Sequence, residues 1–219
     1  MNLLVEGSAE KGVLVLAHGA GMAMDHCYLQ QISEQLVNCG LMVVRFEFPY
    51  MAQRRGTGKR RLPDKMPVLE QCFLDVIEEV QQRYPELFSG SKNPLFLAGK
   101  SMGGRGATLI ADQVAASAVF VYGYPFHSIK KPEVLRIEHL QQLRCEIHIF
   151  QGERDKLGNK AEVLTYPLSE NVQLHWLIDG DHDLHPRVRS GFTQLQHLQS
   201  VINTVGRIVD AKMLSANCN

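Results

Sequence analysis

Mostly apolar stretches recur along this chain at intervals that predict a buried sheet. Strands covered on both faces are typically continuous apolar runs of about four to eight residues. The stretches of this kind are residues 12–17, 41–48, 94–98, 117–122 and 146–151. Residues 172–178 alternate more, which predicts a last strand near an edge of the sheet. Residues 3–6 are expected to form a short edge strand that precedes the others.

Segments with helical spacing lie between these strands. The clearest runs from Val68 to Tyr84, and its apolar residues fall on one helix face: Leu69, Phe73, Val76, Ile77 and Val80. Asp25 is expected to cap a helix that runs to about Cys39, where Gly40 stops it. Further helices are predicted at residues 102–116, 132–143 (starting at Pro132), 192–209 and, weakly, 158–166.

The alternation of strands and helices predicts an α/β architecture. Right-handed crossovers would give a mainly parallel sheet of about six to seven strands with helices on both faces, which makes three layers. The chain length predicts a single domain over residues 1–219, with its core at about 12–209 and a short polar tail at 210–219. The segments that follow Pro49 and Gly123 are too short for a full cap domain.

Composition narrows the functional classes. The formal net charge is +0, so no overall field favours nucleic acid or an anionic membrane. No apolar run approaches the ~18–20 residues that span a bilayer, and the first residues lack an export signal, which predicts a cytoplasmic protein. The cysteines are five in number, widely spaced and without a C-x-x-C pair, which argues against a disulfide framework and a zinc site.

A serine between glycines follows the strand at 94–98. Gly99 to Gly104 reads G-K-S-M-G-G, and its first five residues match the nucleophile-elbow pattern G-x-S-x-G, in which a tight turn lifts the serine above the sheet. The segment also resembles the end of a phosphate-binding loop, G-x-x-x-x-G-K-[ST]. That motif needs glycine where this chain has Pro94, and its intervening residues are here an apolar strand, so nucleotide binding is excluded.

An acid and a histidine follow two later strands. Asp155 comes after the strand at 146–151, and His182 follows the strand at 172–178. Because ligands collect at the carboxyl ends of parallel strands, we expect Ser101, Asp155 and His182 to meet there. Their chain order is that of the nucleophile-elbow hydrolases. Glu153 is the alternative acid, and His185 is the alternative base.

These motifs carry a resemblance to a known family. Over residues 13–202 the chain resembles compact, dienelactone-hydrolase-like α/β-hydrolases. The more specific segments are 45–51 (RFEFPYM), 99–104 (GKSMGG), 123–127 (GYPFH), 132–136 (PEVLR) with His139-Leu140, and 151–155 (QGERD). They are similar to a subfamily of uncharacterised bacterial hydrolases, which also includes a testis-expressed protein and the hydrolase-like part of the third subunit of the NSL complex.

The resemblance implies a role for each site residue. Ser101 would attack a carbonyl, His182 would move the proton, and Asp155 would hold the histidine. The main-chain N–H groups of Met102 and Ala20 would form the oxyanion hole.

Other residues are candidates for substrate contact. They are His18, Gly19, Gly21, Lys100, His127, Arg54 and Arg55. His18 is also interpreted as shaping its loop, and His127 as structural. The basic run from Arg54 to Arg61 is expected in a polar loop, where it either binds an anion, acts as a lid or is merely solvated.

The resulting hypothesis is a serine hydrolase for a small ester, thioester or related acyl compound. An anionic substrate follows if the basic run binds ligand. No metal and no organic cofactor is expected. Two alternatives stay open: a non-catalytic interaction module with the same fold, and a small-peptide or amide hydrolase. The sequence does not reveal the oligomeric state.

Overall fold

The predicted strands form one seven-stranded sheet in the computed structural model, which describes residues 2–89 and 93–216. In chain order the strands are β1 (Leu3–Glu6), β2 (Gly12–Ala17), β3 (Leu41–Phe46), β4 (Leu95–Lys100), β5 (Ala118–Tyr122), β6 (Ile147–Gly152) and β7 (Val172–Leu177). Their spatial order is β1-β3-β2-β4-β5-β6-β7. β1 pairs antiparallel with β3, and all other neighbouring strands are parallel.

Helices connect these strands. They are α1 (Cys27–Asn38), α2 (Pro49–Thr57), α3 (Met66–Arg83), α4 (Pro85–Phe88), α5 (Met102–Ile110), α6 (Lys160–Val163) and α7 (Gln194–Ala216). Single turns of 3-10 helix add His139–Gln141 and Val188–Ser190. The predicted three-layer fold, with a mainly parallel sheet and without a cap domain, is confirmed.

The sheet has a hydrophobic core on each face. Along β2, Val13 and Val15 belong to the core that α3 and α5 cover, whereas Leu14 and Leu16 belong to the core that α1 and α7 cover. All of β2 is buried, which explains its continuous apolar sequence. β4 lies at the centre of the sheet, so the turn that follows it is held on both sides.

The prediction of a helix from Pro132 to Leu143 is wrong. Apart from the 3-10 turn, this segment is irregular and is attached to the loop after β5. The Arg136 N–H donates to Phe126 O at 2.8 Å, and the Tyr124 hydroxyl donates to Arg136 O at 2.7 Å. These long-range hydrogen bonds replace the intrahelical ones, and helix propensity is a weak preference that tertiary contacts override.

The basic segment that was predicted to be a loop is helical in part: residues 54–57 belong to α2, whereas residues 58–61 are irregular. Pro49 begins α2, and Gly58 ends it with φ of 68° while its N–H donates to Arg54 O at 2.8 Å. Proline at the start and a left-handed glycine at the end are favourable in these positions. Only Tyr50 and Met51 of α2 are buried, so the segment carries no apolar period from which a helix could be predicted.

Two helix ends also differ from the prediction. His26, and not Asp25, caps α1, because the His26 side chain accepts from the Tyr28 N–H. Asp25 instead pairs with Arg55. The predicted polar tail at 210–219 is helical up to Ala216, and its last residues, 217–219, lie outside the described part of the chain.

Candidate active site

Three glycines permit the turn after β4. A Cβ atom on Gly99 would lie 2.4 Å from the main chain of Gly103, and one on Gly103 would lie 2.5 Å from His18 O. A Cβ atom on Gly104 would lie 2.4 Å from a methyl carbon of Val121. Because separations under 3 Å are not tolerated, the strand and helix approach this closely only with glycine at all three positions.

Ser101 has a strained backbone. It lies between β4 and α5 with φ of 52° and ψ of −114°, a combination that non-glycine residues rarely adopt. Such a conformation costs about 1–3 kcal/mol and persists only where the surroundings impose it. Here the Ser101 N–H donates to Tyr122 O at 3.1 Å, and the Ser101 carbonyl accepts from the Arg105 N–H at 2.9 Å. The turn therefore presents the hydroxyl at the carboxyl end of the sheet.

A hydrogen-bonded chain links Ser101, His182 and Asp155. The Ser101 hydroxyl donates to Nε2 of His182 at 2.8 Å, and Nδ1 of His182 donates to Oδ2 of Asp155 at 2.7 Å. These directions follow because an ionised carboxylate only accepts, which leaves the Nε2 lone pair for the hydroxyl. The His182 side chain is 26% exposed, whereas Asp155 is fully buried.

Buried donors fix the Asp155 carboxylate. Its Oδ1 accepts from the Leu157 N–H at 2.8 Å, and its Oδ2 also accepts from the Gln151 side-chain amide at 2.8 Å. Gln151 is itself buried, and its Oε1 accepts from the Tyr124 N–H at 2.7 Å. These donors hold the carboxylate in one orientation towards His182.

Lys100 holds the loop that carries His182. This lysine is buried, its ammonium donates to His182 O at 2.7 Å, and it lies 3.2 Å from the Asp183 carboxylate. Burial lowers the pKa of Lys100 from its usual value, and the nearby Asp183 carboxylate opposes that effect. Gly123 packs below the same loop, where a Cβ atom would lie 2.6 Å from His182 O.

The alternative acid and base lie elsewhere. Glu153 accepts from Lys160 Nζ at 2.7 Å and from the Asp179 N–H at 3.2 Å, so its carboxylate secures the start of the histidine loop. His185 is exposed, and its N–H donates to Oδ1 of Asp181. Neither side chain is hydrogen-bonded to the Ser101–His182 pair.

Of the two candidate oxyanion donors, Ala20 borders the same cavity as Ser101, and Met102 directly follows Ser101 in the chain. The Met102 N–H is the first of α5, and the Ala20 N–H follows the strand end at Ala17. Within residues 2–89 and 93–216, neither N–H donates to a protein acceptor. The Tyr50 hydroxyl donates to Ala20 O at 3.0 Å, which turns that carbonyl towards Tyr50.

His18, one of the residues predicted to contact substrate, is enclosed by the protein and does not border the cavity that Ser101 borders. It is fully buried, its Nδ1 donates to Gly19 O at 2.8 Å, and its Nε2 accepts from the Phe48 N–H at 3.1 Å. Burial lowers its pKa, which keeps the ring neutral and able to make both bonds. His18 therefore shapes the Gly19–Ala20 loop, which was the alternative interpretation of this residue.

The side chains of three other residues that were predicted to contact substrate already have partners within the protein. Lys100 borders the cavity, but its ammonium is taken up by the histidine loop. His127 is buried against Ser128 O and Glu162 and does not border the cavity. Arg55 bridges two carboxylates, those of Asp25 and Glu47.

The other residues predicted to contact substrate, Gly19, Gly21 and Arg54, each line a cavity. A catalytic cavity of about 380 Å³ is lined by Ser101, His182, Leu157, Gly19, Ala20 and Gly21. A second cavity of about 370 Å³, which we name the Arg54 groove, lies beside it and is lined by Gly21, Ala23, His26, Met51, Arg54 and Arg55.

Sequence reasoning missed the supporting residues. Gln151 and Tyr50 were noticed only as parts of resembling segments, and Lys100 was assigned to substrate. Each acts through one long-range hydrogen bond to a site loop. No local spacing encodes such a bond. A polar residue inside an otherwise apolar strand, as at Lys100 and Gln151, is the one signal available.

Comparison with known proteins agrees with this geometry. Residues 10–210 match a family model described as an alpha/beta hydrolase domain. An alpha-beta serine hydrolase homologue from Coxiella burnetii has 18% identity and a TM-score of 0.68, over 92% of this chain and 90% of that chain. A serine hydrolase without lid from Xanthomonas campestris has 18% identity and a TM-score of 0.71, over 94% and 88% of the two chains.

An esterase from Pyrococcus furiosus has 15% identity and a TM-score of 0.66, over 93% of this chain and 83% of that chain. Among curated proteins, none matches this sequence. At these identities the structural likeness shows the fold, and the assignment of chemistry depends on the site itself.

Proposed function

The chain belongs to the alpha/beta hydrolase domain family, and from this premise we propose that it is a serine hydrolase that cleaves a small ester or thioester through an acyl-enzyme. The observation that carries the proposal is the strained Ser101 with its hydroxyl 2.8 Å from Nε2 of a histidine that Asp155 orients. A nucleophile, a base and an orienting acid at these distances are what acyl transfer needs.

The reaction proceeds in two halves. Ser101 Oγ forms a bond to the substrate carbonyl carbon while its proton passes to Nε2 of His182. The leaving alcohol or thiol takes that proton as its bond to carbon breaks, and the acyl group stays on Ser101. Water then attacks the acyl carbon and gives a proton to His182. The bond between the acyl carbon and Ser101 Oγ breaks, His182 returns the proton to that oxygen, and the carboxylic acid leaves. Asp155 stabilises the imidazolium in both halves.

The oxyanion is assigned to the N–H groups of Ala20 and Met102. Ala20 borders the catalytic cavity, Met102 directly follows Ser101, and neither N–H has an acceptor among the described residues, so both are free to bind the charge that develops on the carbonyl oxygen. His18 and Tyr50 hold the Ala20 loop from below. Loss of one such donor costs roughly 10²–10³-fold in turnover in other hydrolases.

The size of the cavity favours small acyl groups. At about 380 Å³ it is at the small end of ligand pockets, and Leu157 is its main apolar wall. We expect short-chain model esters to be hydrolysed faster than long-chain ones, because little apolar surface is present to bury a long tail.

No described helix has the length and apolar character needed to cross a bilayer. The cytoplasmic location and the dienelactone-hydrolase-like subfamily stay predictions.

Fluorophosphonate labelling tests the proposal. The wild-type protein is expected to be labelled at a single serine and Ser101→Ala not at all, while both keep the same circular dichroism spectrum. In a separate assay, unlabelled wild type is given a panel of esters, thioesters and short amides. Absence of labelling in a folded wild type would favour the interaction module, and turnover of amides alone would favour the peptide hydrolase.

A further inference from the structure

Gly21 lies between the two cavities of the candidate site. It borders the catalytic cavity on one side and the Arg54 groove on the other, and His26 also borders both. The two spaces therefore share a wall made of the segment that follows the Ala20 donor. Together they amount to a cleft that extends well beyond the acyl-transfer centre.

Neither conformation nor packing requires glycine at position 21. Its φ lies outside the left-handed region, and a Cβ atom there would have no neighbour within 4 Å. The glycines of the elbow differ, because a Cβ atom on Gly103 would clash at 2.5 Å. A side chain at position 21 would enter open space where the two cavities meet, so glycine keeps that passage clear.

The groove beyond Gly21 presents hydrogen-bond donors. The Arg54 guanidinium has no ion pair and no side-chain hydrogen bond among the described residues. Nδ1 of His26 accepts from the Tyr28 N–H at 3.2 Å, so in the neutral ring the proton lies on Nε2, which is a further donor.

The acceptors in the groove are already engaged. Both carboxylate oxygens of Asp25 accept from Arg55, and so do both oxygens of Glu47, at 2.6 to 3.1 Å. The protein therefore offers hydrogen-bond donors in this groove, while its carboxylate acceptors are already bound to Arg55. A ligand group that binds here must accept hydrogen bonds. A carboxylate satisfies this requirement best, since it accepts paired hydrogen bonds from a guanidinium.

We propose, on the basis of the serine hydrolase function above, that the substrate is a two-armed ester or thioester whose second arm carries a carboxylate. The scissile carbonyl lies at Ser101, the arm passes Gly21, and the carboxylate binds Arg54 and the Nε2–H of His26. Gly21, Arg54 and His26 are therefore specificity-determining residues. Arg55 is excluded from this role, because its donors are bound to Asp25 and Glu47.

Two sets of probes test the two possible arms. In the first, the carboxylate is on the acyl arm: para-nitrophenyl hemiesters of adipic, pimelic and suberic acid. In the second, it is on the alcohol arm: acetate esters of ω-hydroxyalkanoic acids. Each is paired with a neutral ester of equal length, and the readout is the ratio of kcat/KM for the charged over the neutral ester. Para-nitrophenyl acetate measures the basic hydrolase activity.

Arg54→Gln is expected to lower this ratio at least about tenfold in one of the two sets, chiefly through KM, because it removes a charge-assisted hydrogen bond. Arg60→Gln is the matched control, since Arg60 is exposed and borders neither cavity. Raising the salt concentration should reduce the wild-type ratio towards that of Arg54→Gln.

Gly21→Leu is expected to reduce kcat/KM for long two-armed esters more than for the acetate, because the leucine fills the passage. Gly56→Leu is its control, since Gly56 also has no neighbour within 4 Å of a Cβ atom and borders neither cavity. If wild type hydrolyses the acetate, but Arg54→Gln leaves the charged-to-neutral ratios unchanged and Gly21→Leu affects long esters no more than the acetate, this inference is wrong and the hydrolase stands. If wild type hydrolyses no ester, the hydrolase proposal itself fails.

Discussion

The Lys100 ammonium donates to the main-chain carbonyl of His182 at 2.7 Å. Lys100 directly precedes Ser101, the candidate nucleophile, and it fixes the backbone of His182, the candidate base. Two adjacent residues at the end of β4 therefore position both groups between which the proton moves. Lys100 is buried, so this contact is protected from competing water.

Lys100→Met is expected to lower kcat for a short ester by roughly tenfold to a hundredfold. Methionine keeps the apolar stem but leaves His182 O without its donor, and a small displacement of a reacting group has effects of this size. KM should change less than kcat, and the rate of fluorophosphonate labelling should fall in parallel. An unchanged labelling rate with a lower melting temperature would mean that Lys100 only stabilises the fold.

The second prediction concerns the base and the acid. His182→Ala is expected to lower kcat for short esters by roughly 10⁶-fold, because it removes the proton acceptor, and Asp155→Asn by roughly 10⁴-fold, because it no longer holds the correct histidine tautomer. His185→Ala is the matched control, since that side chain is exposed three residues away. A severe effect of His185→Ala together with a mild effect of His182→Ala would exchange the two assignments.

Two glycines of α5 are expected to respond oppositely to alanine. In Gly104→Ala the new methyl would lie 2.4 Å from Val121 and 2.6 Å from Gly99 O, so we expect a loss of at least about 1–3 kcal/mol in unfolding free energy. In Gly106→Ala the nearest atom is 3.7 Å away, on Phe73, and alanine should stabilise the helix by up to about 1 kcal/mol. Urea denaturation of the two variants provides the comparison.

A pair of histidines, of which His148 is buried and His175 half-buried, is expected to make stability depend on pH. Nδ1 of His148 on β6 lies 3.1 Å from Nε2 of His175 on β7, and burial is the main cause that lowers both pKa values. Of the nearby charges, Glu146 opposes the effect on His148, while Lys212 and Arg207 reinforce it on His148 and His175 respectively. These histidines take up protons more readily in the unfolded chain, so their contribution is present above about pH 6.5 and is lost as pH falls.

We therefore expect the melting temperature of wild type to fall more steeply between pH 7 and pH 5 than that of His148→Gln. Each unit of pKa difference corresponds to about 1.4 kcal/mol, and the comparison of two proteins cancels the carboxylates that also titrate in acid. Parallel melting curves for the two proteins over this range would contradict the prediction.

Patterns with a short period carried the prediction of the fold. The apolar runs of β2 and β5 are continuous because both faces of the sheet are covered, and α3 shows its buried face every third or fourth residue. The elbow could be identified because its glycines and Ser101 are adjacent in the sequence. In α2 only Tyr50 and Met51 are buried, so no apolar period indicated a helix. The segment around Arg136 is held by hydrogen bonds to residues distant in the sequence, and no local pattern indicates such bonds.

The basic run illustrates this limit and supplies the last prediction. By sequence, Arg54 and Arg55 are equivalent neighbours, but in the structure Arg55 forms ion pairs, whereas Arg54 forms none among the described residues. Arg55 binds Glu47, whose side chain is 5% exposed, and Asp25, which is more open to solvent. Removal of one member of a buried ion pair is costly because the other charge stays buried without a partner.

Arg55→Gln is therefore expected to lower the unfolding free energy by about 1–3 kcal/mol, less than for a fully buried pair because the arginine itself is 43% exposed. Arg54→Gln should change it by less than about 0.5 kcal/mol, since Arg54 has no ion pair among the described residues. Adding Glu47→Gln to Arg55→Gln should restore part of the lost stability, because it removes the stranded carboxylate. A denaturant-based double-mutant cycle measures the coupling, and a value near zero would mean that Arg55 is only a solvated surface charge.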